Sequence, residues 1–395
     1  MIQIVNILTA SVGAALSIMP LEERVVVGQA IEFRGRATSG MDSSLQWNFG
    51  DGDSGEGAAV SHVYEEPGIY HVGLCAKDDS SERTSSAILR VHTPQTVHLP
   101  QILLDTDARN EVDDQHYISY ALFSELDVLG INSVHHGGDQ EAINYGEIQW
   151  IVHLARRIGL PESRQPFTFH GADQRLEVPE SGNWADTQPV VTEASEAILA
   201  AARGASPDNP VWVLPVGPCT NVASAVLQAS QEEWDIRDRL RVIWLGGGPE
   251  SASKNTFNGG NDPWSVYVLG ESGIEFWIIL ENPTGASICM DKRTEAHLYP
   301  DNALGNYLKM ITPARRKALF DISTVSMVIS EHLNLGWLKE VEPVKVLGPD
   351  QDYRWKRVEE PASVHVVRDI DEDAMKNDFF NTLNSRPTRL IPREE

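Results

Sequence analysis

Basic residues are scarce in this chain: 32 Lys and Arg stand against 57 Asp and Glu, a formal net charge of −25 over 395 residues. A surface that negative repels phosphate backbones and anionic membranes, which argues against nucleic acid as a partner. Cysteine is scarcer still. Cys75, Cys219 and Cys289 lie far apart and provide neither a paired disulfide framework nor a C-x-x-C metal clip. No stretch reaches the ~20 apolar residues needed to cross a bilayer, so a soluble protein without membrane insertion is expected. The first twenty residues, MIQIVNILTASVGAALSIMP, are apolar but contain no Lys or Arg, and the basic n-region of an export signal is missing. Two readings stand: residues 1–14 are a trimmed signal remnant, or this segment leads into a first strand, with Ala14 to Met19 already part of the next domain.

What is present is the composition of a folded globular protein, 41% hydrophobic and 23% charged. At ~150 residues per domain the length predicts two or three domains. A composition shift near residue 98 supplies the boundary, giving domains at 15–97 and 98–395. Upstream of it Val25–Thr38, Ser44–Phe49, Tyr70–Ala76 and Ala87–His92 alternate apolar and polar residues, separated by the turn-rich GDGDSGEG and KDDSSERTSS. Short strands at this spacing with little helical periodicity predict a small β-sandwich. WNFGDG followed by HVYEEPGIYHV resembles the PKD domain, an immunoglobulin-like module of extracellular proteins. Asp51 and Asp53 read either as a calcium loop or as an Asx turn closing a hairpin. Such modules space or attach a catalytic neighbour, so chemistry is expected downstream.

From Pro100 onward, apolar runs alternate with helical segments. Ile102–Leu104, Val128–Val134, Phe167–Phe169, Val211–Val216, Leu240–Leu245, Phe276–Leu280 and Val364–Val367 read as buried strands, and helical patterns cover roughly 112–124, 139–158, 192–203, 220–230, 263–271, 303–312 and 321–334. The alternation predicts an α/β domain with an open, mostly parallel sheet covered on both faces. Ligands in such folds bind beyond the carboxyl ends of the strands, which points to Asp105, Gly217 and Gly246.

The first strand end carries the strongest chemical signal. Asp105, Asp107, Glu111, Asp113 and Asp114 place five carboxylates within ten residues, directly before a helical pattern. A helix N-terminus relieves such repulsion by only ~0.3–1 kcal/mol per acid. A hard divalent cation such as Ca²⁺, which takes six to eight oxygen ligands, relieves far more. The competing reading is an acidic capping loop. A phosphatase of the Asp-x-Asp nucleophile type fits less well, because Arg109 stands where Thr or Val is wanted.

Asp-Thr-Asp followed by Asp113-Asp114 resembles the opening of the nucleoside hydrolases, and the longer form Thr-Asp-x-x-Asn-Glu-x-Asp-Asp is similar to a divergent branch of that family. Leu214–Ala223, Ile243–Gly247, Asn258 ahead of Asp262-Pro263, Phe320-Asp321 and Ser363–Leu383 match further family segments in order, so the resemblance spans roughly 100–385. It implies one Ca²⁺ held by Asp107, Asp114, the carbonyl of Thr220 and Asp321, two sugar hydroxyls and a water oriented by the metal, and Asp107 as general base. It further implies sugar contacts from Asp113 and Asn258, with Asn255 and Trp264 as additional substrate-binding candidates. Where many relatives carry a His suited to protonating the leaving group, this chain has Phe320, and where they carry a Glu near Asn258 it has Thr256. His116 and His136 are therefore the candidate leaving-group acids, beside His135 and His170. Trp184 and Tyr267 are candidates for stacking on a sugar or base.

Two functions follow from these residues. One is a calcium-dependent hydrolase cleaving the N-glycosidic bond of a ribonucleoside or a related glycoside, secreted or periplasmic. The other is a secreted carbohydrate-binding or adhesion protein that keeps the fold without turnover. A small-molecule nucleoside or glycoside is the expected partner. The resemblance adds a homo-oligomer, and the PKD-like module a cell-surface or polysaccharide contact.

Overall fold

A computed structural model of the chain describes residues 3–11, 14–18, 25–37, 45–77, 82–94, 96–138, 140–253 and 256–384. The N-terminal part is a sandwich of two sheets. Strands Gln3–Ser11, Ala14–Ile18, Ala30–Ala37 and Ala59–Val63 form one, and Val25–Val26, Glu82–His92, Gly68–Lys77, Leu45–Asn48 and Ser54–Glu56 the other. Alternation does what the pattern requires: Leu45, Trp47 and Phe49 are buried between the sheets while Gln46 and Asn48 face water. Val25–Thr38 is not one strand, because Gly28 at φ +77° turns the chain between Val25–Val26 and Ala30–Ala37. In the acidic turn, Asp51 accepts the Asp53 N–H (3.0 Å) in an Asx turn and pairs with His62 (2.6 Å).

The second domain builds on nine strands in the order β3-β2-β1-β4-β5-β6-β9-β7-β8. These are β1 (Gln101–Thr106), β2 (Asp127–Ser133), β3 (Phe167–Phe169), β4 (Val211–Pro215), β5 (Leu240–Leu245), β6 (Glu275–Ile279), β7 (Leu338–Val346), β8 (Trp355–Arg357) and β9 (Val364–Ile370). Pairing is parallel from β3 through β9, and β7 and β8 add an antiparallel edge. Central strands buried on both faces explain the uninterrupted apolar runs; every residue of β1 is buried. Helices α1 (Asp113–Phe123), α2 (Glu141–Arg157), α6 (Ala303–Ile311), α7 (Ile322–Leu333) and α8 (Glu372–Asn384) contribute to one core, and α3 (Glu193–Gly204), α4 (Thr220–Gln231) and α5 (Pro263–Ser272) to the core on the other face. The β7–β8 edge was not expected from sequence. Its pattern is obscured by Pro343 and by two register irregularities against β9.

The chain runs outward from β1 to β2 and β3, then returns to pair β4 on the other side of β1. That reversal opens a crevice at the carboxyl ends of β1 and β4, the place where such sheets hold ligands. Among the described residues no helix is long and apolar enough to cross a membrane.

The sandwich packs directly on this domain. Arg90, on strand Glu82–His92, pairs with Asp127 at the start of β2 (2.8 Å), and both side chains are buried. Gly204 approaches the Ile88 carbonyl so closely that a Cβ there would lie 2.4 Å from its oxygen.

Candidate active site

At the end of β1 the chain turns tightly: the Asp107 carbonyl accepts from the N–H groups of Arg109 (2.6 Å) and Asn110 (2.8 Å). The segment that follows is pinned to α2 and α1. Asn144 accepts from Arg109 N–H (3.1 Å), Glu147 pairs with the Arg109 guanidinium (2.8 Å), and Gln115 donates to the Ala108 carbonyl (2.9 Å). α1 then begins at Asp113, so two acids occupy its first turn beside a partial positive charge. From the other end of the sequence, Asp321 sits at the start of α7. The fold brings carboxylate oxygens of Asp113, Asp114 and Asp321 within 4.8 Å of one another.

None of Asp105, Asp107, Asp113, Asp114 and Asp321 is more than 4% exposed. Burial raises all five carboxyls. It lifts Asp114 to about 7, helped by the Asp113 charge and opposed by the Thr106 hydroxyl that donates to it. Asp113 rises to about 6, held back by Lys317, whose ammonium lies 2.9 Å away. Asp107 and Asp321 are pushed well above the carboxylate range, Asp107 mainly by burial and Asp114, Asp321 by burial and the surrounding aspartates. The Oδ2 of Asp107 is buried with no hydrogen-bond partner. Beside it, a Cβ at Gly217 would sit 3.2 Å from the Asp107 carboxyl, so the glycine leaves the room that the carboxylate occupies. An orphaned carboxylate oxygen next to three converging ones is the donor set of a hard divalent cation.

Asp105 plays a different part. Its Oδ2 accepts from the side-chain amides of Asn221 (2.9 Å) and Asn132 (3.3 Å), and burial raises it to about 7. Thr220 opens α4, donating its hydroxyl to Asp262 (2.7 Å) and sharing a bond with His135 (3.0 Å).

Several expected residues are engaged elsewhere. His116 is fully buried with Nδ1 against the Val112 carbonyl (2.6 Å) and Nε2 against the Tyr299 hydroxyl (2.7 Å), and burial lowers it to about 4. His136 pairs with Asn144 (3.2 Å) on the turn after β2. Trp264 donates its indole N–H to Thr187 (2.9 Å) inside the core and packs on Tyr267. His170 pairs with Glu141 (3.0 Å). Asn255 lies outside the described residues.

A cavity of about 210 Å³ covers the aspartates, lined also by Asn110, Glu111, Val216, Leu245, Phe257, Asn258, Glu281, Asn282 and Phe320. Asn258 thus falls in the same pocket as Asp107, Asp113, Asp114 and Asp321. A larger cavity of about 630 Å³ lies between the sandwich and α3 and α4, but among the described residues no cluster of carboxylates converges on it. The sequence reading missed Glu281 and Lys317. Glu281 follows β6 just as Asp107 follows β1, so the strand-end rule applies to it; Lys317 carries no such signal, because its partners Glu111 and Asp113 are remote in the chain.

Residues 19–93 match the family model described as PKD domain, and residues 102–377 the one described as inosine-uridine preferring nucleoside hydrolase. Similar solved structures include a purine-preferring ribonucleoside hydrolase from Gardnerella vaginalis (20% identity, 72% of this chain and 98% of that one, TM-score 0.53). An inosine-guanosine nucleoside hydrolase (17% identity, 72% and 98% covered, TM-score 0.54) is another. A third is an inosine-uridine preferring nucleoside hydrolase from Bacillus anthracis (16%, 72% and 99% covered, TM-score 0.51). At these identities the likeness is one of fold. A search of curated proteins returns no significant match.

Proposed function

The chain belongs to the inosine-uridine preferring nucleoside hydrolase family, and on that premise we propose that it hydrolyses the N-glycosidic bond of ribonucleosides with the help of Ca²⁺. The observation that carries the reading is the convergence of Asp113, Asp114 and Asp321 beside the unpartnered Asp107 oxygen. Asp107, Asp114, Asp321 and the Thr220 carbonyl would hold the ion. When bound, Ca²⁺ supplies coordination for sugar hydroxyls and a lowered pKa for a water. Asp107 takes the proton of the attacking water, its carboxyl being aimed into the pocket by the tight turn at Arg109 and Asn110. Asp113, already paired with Lys317, and the Asn258 amide oxygen accept hydrogen bonds from the sugar. Positive charge grows on the sugar as the bond breaks, and the ring of carboxylates stabilises it. Phe257, 45% exposed at the rim, and Phe320 give the departing base an apolar surface. His116 and His136 are bonded to groups outside the cavity lining and do not reach the departing base.

Purine-preferring and inosine-uridine preferring relatives share this fold, so inosine and uridine are the first substrates to try. The PKD domain supports a secreted or surface setting. Incubation with inosine, uridine and a panel of aryl glycosides, with and without chelator, tests the reading. Calcium-dependent release of base is expected; tight sugar binding without turnover would select a binding protein instead.

A further inference from the structure

Two neighbouring aspartates open α1, and distance does not tell them apart: oxygens of Asp113 and Asp114 both lie within the 4.8 Å cluster that Asp321 completes. Their hydrogen bonds do. Asp114 Oδ1 accepts from a neutral donor, the Thr106 hydroxyl (2.5 Å), whereas Asp113 Oδ1 accepts from the Lys317 ammonium (2.9 Å). A neutral donor leaves the carboxylate its full charge for a cation. An ammonium offsets that charge and repels a second cation approaching the same oxygen.

Lys317 stands on the short strand Arg316–Ala318, opposite Met290 of Cys289–Asp291, and the same stretch of chain continues through Phe320 to Asp321. Its Nζ lies 5.0 Å from the centre of the Phe320 ring, which lines the pocket. Its second partner is the Glu111 carboxylate, in the segment between β1 and α1. With the Lys317 side chain only 10% exposed, little water competes for its protons. Lys317 therefore bridges the two pieces of chain that supply the aspartates, the approach to α1 and the approach to α7. Among the described residues lining the pocket none is basic, so this ammonium acts from behind the wall and touches no substrate. Its removal has two opposed effects on a cation: the site loses a strut, and it gains a carboxylate with its charge restored. A charge at ion-pair range in a buried site outweighs one hydrogen bond, so the gain is the larger.

We propose that Lys317 is a positioning residue that sorts the two aspartates, keeping Asp113 out of the cation's ligand set and free for the substrate while Asp114 is left to the cation. The inference rests on the calcium-assisted N-glycosidase reading of this pocket. Its test is calorimetric titration of the chelator-stripped, full-length protein with Ca²⁺, for wild type, Lys317→Met and the double variant Lys317→Met/Asp113→Asn, beside kcat/KM on inosine. Lys317→Met is expected to bind Ca²⁺ roughly 10- to 100-fold more tightly, because Asp113 joins the ligands with its charge restored. Hydrolysis should fall by roughly 10- to 100-fold at the same time, since the same carboxylate is drawn away from the sugar. Adding Asp113→Asn should cancel the gain in affinity. If Lys317→Met fails to fold, Lys317→Gln, which also lacks the charge, is read in the same way. A lysine that merely braced the fold would give the opposite sign, so unchanged or weaker Ca²⁺ binding in the single variant overturns the inference. Tighter binding with undiminished hydrolysis, or a gain that survives Asp113→Asn, overturns it as well. Wild type that takes up no Ca²⁺ would overturn the calcium reading and this inference together; wild-type uptake with any of the other contrary results overturns only this one.

Discussion

Asp321 at the start of α7 and Asp114 in the first turn of α1 bring carboxylate oxygens within 4.8 Å of each other where almost no water reaches. Two ionised groups that close repel by about 3–4 kcal/mol even at an effective dielectric near 20. Asp113 joins them at the same range, with Asp107 beside Asp114. Such a cluster either keeps protons or holds a cation, and Lys317 alone cannot balance it.

Asp107→Ala removes both a ligand and the proposed base. Hydrolysis is expected to fall by at least about 10²- to 10⁴-fold, the range for loss of general-base catalysis. The fold should survive, since a buried and unpartnered charge is being deleted. Circular dichroism alongside kcat/KM checks this, and a variant with near-normal turnover would remove Asp107 from the mechanism.

The raised carboxyls give stability a signed pH dependence. Asp113 moves from 3.8 to about 6 and Asp114 to about 7 on folding, chiefly through burial. Between about pH 4 and 7 the folded state therefore holds protons that the unfolded chain releases, and these groups lower the stability of the cation-free protein as pH rises. Ca²⁺ binds the deprotonated ligands, so the rise in Tm on adding it should be larger near pH 7.5 than near pH 5. Comparing the Ca²⁺-induced increment at the two values cancels the other titrating groups. An increment larger at the lower pH contradicts the assignment.

Gly217→Ala asks whether the space beside Asp107 matters. The new Cβ would meet Val134 at 2.8 Å and the Asp107 carboxyl at 3.2 Å, displacing the carboxylate at a stability cost of about 1–3 kcal/mol. Ca²⁺ affinity and activity should fall together, by more than the change in Tm alone explains. Unchanged affinity measured by calorimetry would show that Asp107 can move freely.

Arg90→Ala probes the seam between the two domains. Breaking the buried pair leaves Asp127 with only the more distant His92 ring nitrogen (3.7 Å), and a loss of about 3–5 kcal/mol is expected. Chemical denaturation measures it; a loss below 1 kcal/mol, the size of a surface pair, would mean the seam is solvated.

How much of this was legible in the sequence depended on how local the signal was. Strands β1, β2, β4 and β5 read clearly because burial on both faces leaves runs of apolar residues with few polar interruptions, and the half-buried edge strand β3 read through its pair of phenylalanines. The Asp105–Asp114 cluster read clearly because its members are neighbours in the chain. Asp321 could be tied to them only through the family resemblance, since nothing in its own surroundings distinguishes it from a helix start. His116 misled for the opposite reason: it follows the acid pair closely, yet its side of α1 packs against Tyr299 and Phe379. Trp264 likewise reads as an aromatic near Asn258 but fills the core. Glu281 obeys the strand-end rule and went unnoticed because a lone acid has no neighbours to mark it out.

The most direct test of the central claim is calorimetric titration of chelator-stripped full-length protein with Ca²⁺ in buffers of differing ionisation enthalpy. The account predicts uptake at a single site in the second domain, release of protons as the raised carboxyls ionise, and loss of that uptake when Asp114 and Asp321 are changed to Asn. Absence of Ca²⁺ uptake by the wild-type protein, or uptake that persists in that double variant, would contradict it.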